Sequence, residues 1–136
     1  MSRSGYTDDF DDGWSLIRWR GQVASAIRGK RGQAFLLEMW NAMQALPEPK
    51  LIANELEADG AVCAIGAVGK ARGIDMSNLD PEDYERIAIA FGIPRQLAQE
   101  IMYMNDEAGG NVQPSLRFAE MKKWIEENLR PIIDAE

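Results

Sequence analysis

Apolar residues recur at three- and four-residue intervals along most of this chain, and no stretch of useful length alternates apolar with polar. The first spacing marks amphipathic helices; half-buried strands need the second. Leu16, Trp19, Val23 and Ile27 form one stripe, and Leu36, Met39, Trp40 and Met43 form another. A third joins Phe118, Met121, Ile125 and Leu129, with Trp124 beside it. The chain has 136 residues, of which 46% are hydrophobic, enough for one core. The fold expected is all-α: a single compact domain of six or seven helices.

Glycine, proline and aspartate punctuate the stripes. Residues 1–13 read as a flexible acidic arm and residues 14–136 as the helical domain. The first helix begins near Trp14 and ends in Arg28-Gly29-Lys30-Arg31-Gly32, where basic residues suit the negative end of the helix dipole. A second, from Gln33 to Leu46, stops at Pro47-Glu48-Pro49. A short helix is expected over Leu51–Glu57. Asp59 is then the candidate N-cap of a helix from Ala61 to Arg72, ended by Gly73. That helix is nearly bare (Ala61, Cys63, Ala64, Gly66, Ala67, Gly69, Ala71), as a thin central helix packed on several sides would be. Asp80-Pro81-Glu82-Asp83 carries a cap, a first-turn proline and two dipole-matched acids, predicting a helix to Phe91. Gly92-Ile93 makes a turn, Pro94 opens a helix to about Asn105, and Gly109-Gly110-Asn111 is a loop. Pro114 starts the last helix, which Pro131 ends or kinks.

Composition removes much chemistry. The chain has no histidine, which excludes Ser-His-Asp and Cys-His catalysis, zinc fingers and HExxH sites. Its single cysteine, Cys63, has no partner for an internal disulfide and reads as a buried small residue. The glycine-lysine pair Gly69-Lys70 lacks the first glycine, the Ser or Thr and the preceding strand of a phosphate loop. The arm's aspartates miss calcium-loop spacing, since Phe10 and Trp19 fall where ligands belong. No catalytic residue, cofactor or metal is therefore expected. No apolar run approaches the roughly 18 residues that cross a bilayer, and the first ten residues hold no signal-like stretch. The expected location is the cytoplasm.

Four groups of residues stand as candidates for recognition. Tyr84–Tyr103 fits a helix-turn-helix-like pair, near residues 81–105, with Ala88 at the small position and Gly92 in the turn. Ile87, Phe91, Ile93, Ala98 and Ile101 take its buried positions. Its second helix would turn Arg95, Gln96, Gln99 and Glu100 outward, where Arg and Gln read base edges. Acidic neighbours oppose phosphates there. The basic residues Arg18, Arg20, Arg28, Lys30 and Arg31 are candidates for phosphate or an acidic partner surface. Asp8, Asp9, Asp11 and Asp12 would make the arm a phosphate mimic that docks on a basic partner. Met102, Tyr103 and Met104 spread apolar groups over more than one helix face, which suits a second core contact or a partner or homodimer interface.

Charge ranks these. Residues 1–46 hold six basic and five acidic residues, and residues 47–136 hold nine and seventeen, within an overall −7. Duplex-binding domains usually carry the opposite sign, so charge favours a protein partner over nucleic acid.

From about Gly13 to Trp124 the chain resembles small proteins of uncharacterised role encoded by bacteriophages and prophages. The residues that carry the likeness are RGKRGQAFLLEMWNAMQALP, LIANEL, GAVCAIGAVGKARGID, the DPED start and EIMYMNDEAG. The resemblance implies a viral or prophage gene working in the bacterial host cytoplasm. Small acidic phage proteins often act by binding a host protein, including defence complexes such as CRISPR effectors. The expectation is a non-enzymatic accessory protein that inhibits a host defence nucleoprotein. A DNA-binding regulator using Arg95, Gln96 and Gln99, and a self-associating assembly protein using Met102–Met104, are the alternatives.

Overall fold

A computed structural model describes residues 3–4, 13–107 and 113–129. The arm carboxylates Asp8, Asp9, Asp11 and Asp12, the Gly109-Gly110-Asn111 loop and Pro131 lie outside the described residues. Six α-helices and one two-stranded hairpin make up the regular structure described, so the fold is mostly all-α.

Helices α1 (Gly13–Arg28) and α2 (Lys30–Gln44) are separated by Gly29 alone. Gly29 is extended, at φ −66° and ψ 162°, so the corner needs no left-handed residue. The second glycine of the segment has a different task. Gly32 lies inside α2, where a Cβ would sit 1.9 Å from the Ala26 carbonyl oxygen of α1. Gln33 then donates through Nε2 to the Ile27 and Asn128 carbonyls at 2.7 and 3.0 Å, tying the corner to the last helix. The α2 stripe is buried at Phe35, Leu36, Met39, Ala42 and Met43.

The region after Pro49 departs from the helical expectation. Leu51–Leu56 is irregular, and β1 (Glu57–Ala58) pairs antiparallel with β2 (Ala61–Val62), placing Glu57 opposite Val62 and Ala58 opposite Ala61. Asp59 and Gly60 form the turn at φ 53° and 84°. A two-residue hairpin with both central φ positive is the type I′ arrangement, and Asp-Gly is among its preferred sequences. Asp59 is therefore a turn residue, not a helix cap. The Ile52 N–H donates to the Val62 carbonyl at 2.9 Å, and the Cys63 N–H to that of Leu56 at 3.2 Å. The loop is thus fastened along β2 by main-chain bonds.

Helix α3 (Ala64–Arg72) starts later than expected, with Cys63 as its N-cap and Sγ accepting from the Gly66 N–H at 3.3 Å. It is the thin central helix its composition predicts: Ala64 through Gly69 are all buried. A Cβ on Gly66 would lie 1.9 Å from the Leu56 carbonyl oxygen, and one on Gly69 2.4 Å from the Met76 sulfur. Gly73 ends the helix in the left-handed conformation at φ 73°, as expected.

A 3-10 turn (Met76–Asn78) follows, capped by Asp75. Helix α4 (Tyr84–Phe91) begins one turn beyond Asp80. The Asp80 carboxylate accepts from the Glu82 N–H and closes a local turn, while Asp83 caps the helix by accepting from the Arg86 N–H. Gly92, at φ 72°, ends α4, and Pro94 precedes α5 (Arg95–Asp106). Ile87, Ala88, Phe91, Ile93, Ala98 and Ile101 are buried, as the helix-turn-helix-like pairing requires. Two arginines serve the carbonyl end of α4, where the dipole is negative: Arg31 donates to Gly92 O and Arg72 to Phe91 O, each at 3.2 Å. Helix α6 (Pro114–Asn128) carries its proline in the first turn and buries Phe118, Met121, Trp124 and Ile125. Helix α5 packs against α1, α3, α4 and α6 and is the hub of the fold.

Candidate functional site

The outward residues expected on α5 are largely taken up by this packing. Gln99 is buried and donates through Nε2 to the Ser4 carbonyl at 3.0 Å, so it does not face a duplex. Gln96 is half-buried, 3.5 Å from the Gln22 side chain, and Glu100 is half-buried as well. Arg95 is exposed and pairs with Glu85 at 3.5 Å. The outward set is corrected on this ground: a helix packed on four others keeps little surface for reading bases. Met102 is fully buried in the core, and Tyr103 and Met104 are half-buried, so Met102 is removed from the candidate interface.

The basic residues Arg18, Arg20, Arg28, Lys30 and Arg31 are all exposed. They do not form one patch. Arg18 and Arg20 are two positions apart on α1, which turns their side chains roughly 200° from each other. Arg31 is engaged with the Gly92 carbonyl.

A surface the sequence did not single out lies along α4. Asp80, Glu82, Asp83, Tyr84 and Glu85 line one shallow cleft. Glu85 also borders the next, with Ala88, Ile89, Ile93, Arg95 and Gln96. Gln96 borders a third, of about 690 Å³, with Arg18, Gln22 and Ser25 of α1. The three adjoin as one trough, acidic at the α4 N-terminus and basic near α1. Ile89 stands in its middle, 80% exposed, the most exposed large apolar side chain described. Sequence gave it no signal beyond an apolar residue off the buried face of α4.

A buried polar centre is the second feature absent from the sequence expectations. Asn105 accepts from the Ala64 N–H at 3.1 Å and donates to the Ile52 carbonyl at 2.9 Å. Asp106 accepts from the Asn54 N–H at 3.1 Å and from both Nε and Nη2 of Arg3. Arg117 donates to the Asn105 and Leu51 carbonyls at 2.8 and 3.4 Å, placing its charge at the carbonyl end of α5. Ser4 Oγ donates to Glu107 at 2.7 Å. Burial acts to lower the Arg3 pKa, but the facing Cys63 sulfur and the Asp106 carboxylate outweigh it and raise the pKa above its ordinary value. This centre joins α5 to the loop before the hairpin, to the start of α3 and to α6. The available signal was positional: Asn105 follows Ile101 by four residues and Arg117 precedes Met121 by four, so both sit on buried stripes.

Among the described residues, no group of three or more His, Cys, Asp or Glu side chains is placed to hold a metal ion. No helix described is long and apolar enough to cross a membrane. Compared with protein-family models, curated proteins and solved structures, the chain matches none.

Proposed function

We propose that the protein is a non-catalytic, phage- or prophage-encoded binding module that docks on a basic groove of a host protein, a defence nucleoprotein being the expected target. The observation that carries this reading is Ile89, 80% exposed in a cleft bordered by Glu85 and Arg95, with the Glu82 and Asp83 carboxylates in the adjoining cleft that Glu85 shares. An isolated apolar anchor rimmed by charge is the anatomy of a small recognition surface. Carboxylates along α4 would compete with nucleic acid for the partner's cations and speed encounter. The arm aspartates Asp8, Asp9, Asp11 and Asp12 add to the same charge. The regulator alternative is weakened by the loss of Gln99 to the core.

The test is capture of partners from bacterial lysate, with and without nuclease, by the wild-type protein and by Ile89→Asp and Glu82→Lys. Both side chains are exposed, so stability changes within about 0.5 kcal/mol. The expected result is one defined protein that survives nuclease and is lost with either variant. Recovery of nucleic acid alone, abolished by digestion, would move the regulator reading to first place. Equal capture by all three proteins would remove α4 from the interface.

A further inference from the structure

The buried centre treats two residues of the chain as a ligand. Arg3 and Ser4 are held mainly by α5 and its C-cap: Asp106 accepts from the guanidinium through both oxygens, Gln99 donates to the Ser4 carbonyl, and the C-cap Glu107 accepts from the Ser4 hydroxyl, while the Cys63 sulfur also faces the guanidinium. One helix and its C-cap thus read a side chain, a main-chain carbonyl and the next side chain. Asp106 does not depend on Arg3 for its orientation, because Asn54 N–H and Asn105 Nδ2 donate to it at 3.1 and 2.7 Å. Asn105 is in turn held by the Ala64 N–H and the Ile52 carbonyl. A receptor whose polar groups are oriented by its own frame is preorganised for its occupant. The fit is also unsaturated. Arg3 Nη1 and Gln99 Oε1 are buried without a hydrogen-bond partner among the described residues, whereas a buried group that belongs to a frame is normally satisfied.

From these contacts we infer that the face of α5 running from Gln99 to the C-cap Glu107 is a binding site for an arginyl-seryl peptide segment, and that Arg3-Ser4 is its resident occupant. The guanidinium confers selectivity, because a planar fork meets both carboxylate oxygens and an ammonium does not. A competing segment that also offers an N–H to Gln99 Oε1 would satisfy an acceptor that Ser4 leaves open. This site is separate from the α4 trough and does not rest on the docking reading.

The experiment uses the full chain carrying Arg3→Ala, which removes the occupant's side chain and leaves the receptor. Its Tm should fall by roughly 10 °C. Titration with acetyl-Arg-Ser-amide should then raise Tm saturably, recovering roughly 5 °C near saturation, while acetyl-Lys-Ser-amide should not. The recovery should vanish in Arg3→Ala/Asp106→Asn and persist in Arg3→Ala/Ile89→Asp. Should Arg3→Ala not fold, Arg3→Lys carries the same titration. No saturable shift in a folded variant, or equal shifts from the two peptides, would overturn the assignment.

Discussion

Two arginine–carboxylate pairs make the same two-point contact in opposite surroundings. Arg3 and Asp106 meet with side chains only 1% exposed, and Arg72 and Glu38 meet at 2.7 Å with side chains 32% and 38% exposed. The inner pair gives up its water, so removing either partner leaves the other's charge buried and uncompensated, although Asp106 is oriented by Asn54 and Asn105 without Arg3. The outer pair keeps much of its hydration. Its arginine is held independently, over the Phe35 and Phe91 rings at 5.8 and 5.6 Å and on the Phe91 carbonyl. The contrast teaches that geometry alone does not rank ion pairs. What ranks them is the state of the group left behind when one partner is removed.

The largest expected effect breaks the inner pair. Asp106→Ala should destabilise the protein by about 3–5 kcal/mol in urea unfolding, because it leaves Arg3 buried and uncompensated. It should cost more than Arg3→Ala, since it also removes the acceptor of the Asn54 N–H and one of the two acceptors of Asn105 Nδ2, which keeps the Ile52 carbonyl. On the outer pair, Arg72→Ala should cost about 1–2 kcal/mol through lost ring and carbonyl contacts, and Glu38→Ala at most about 1 kcal/mol. That inequality, measured on the same apparatus, separates the arginine's packing from its charge. Added salt sharpens the comparison further. Raising ionic strength to about 1 M should shrink the Glu38→Ala penalty toward zero while the Asp106→Ala penalty holds, because buried pairs are screened little. The smallest effect is the pH dependence of the outer pair. The Arg72 hydrogen bond holds the Glu38 carboxyl below its ordinary value, outweighing burial. A depressed carboxylate stabilises fully above its unfolded pKa of about 4.5 and loses that stabilisation as pH falls through the folded value. The stability difference between wild type and Glu38→Gln should therefore be flat near neutrality and close only in acid.

How much of this was legible in the sequence follows from the range of the interactions involved. The stripes of α2 and α6 are local and periodic. Leu36, Met39, Met43, Phe118, Met121 and Ile125 are buried where spacing put them, with Trp40 and Leu129 half-buried. The α1 stripe is buried at Val23 and Ile27, half-buried at Trp19 and exposed at Leu16. The helix-turn-helix-like core, from Ile87 to Ile101, and the proline start of α6 were legible as well. The hairpin was missed because Asp59-Gly60 carries two local meanings, a cap and a type I′ turn. Tertiary bonds from Ile52 and Leu56 select the second. Asp80 was displaced as a cap by a turn it closes on itself. The polar centre was illegible for a different reason. Its members come from the segments 3–4, 51–54, 63–64 and 99–107 and from position 117, so no window of sequence contains them together. The α4 trough depends likewise on which face of each helix the packing leaves bare.

Helix α3 has a consequence for the order of events in folding. Its nine residues include glycines at 66 and 69, each costing about 1 kcal/mol of helix propensity. A segment this short and this glycine-rich does not hold a helix by itself in water. The hairpin, α2, α5 and Met76 supply the walls, and the glycines let them close in to contact. Helix α3 thus forms after its surroundings rather than before them. Substitutions within it should speed unfolding and leave the folding rate nearly untouched, the kinetic mark of a late element.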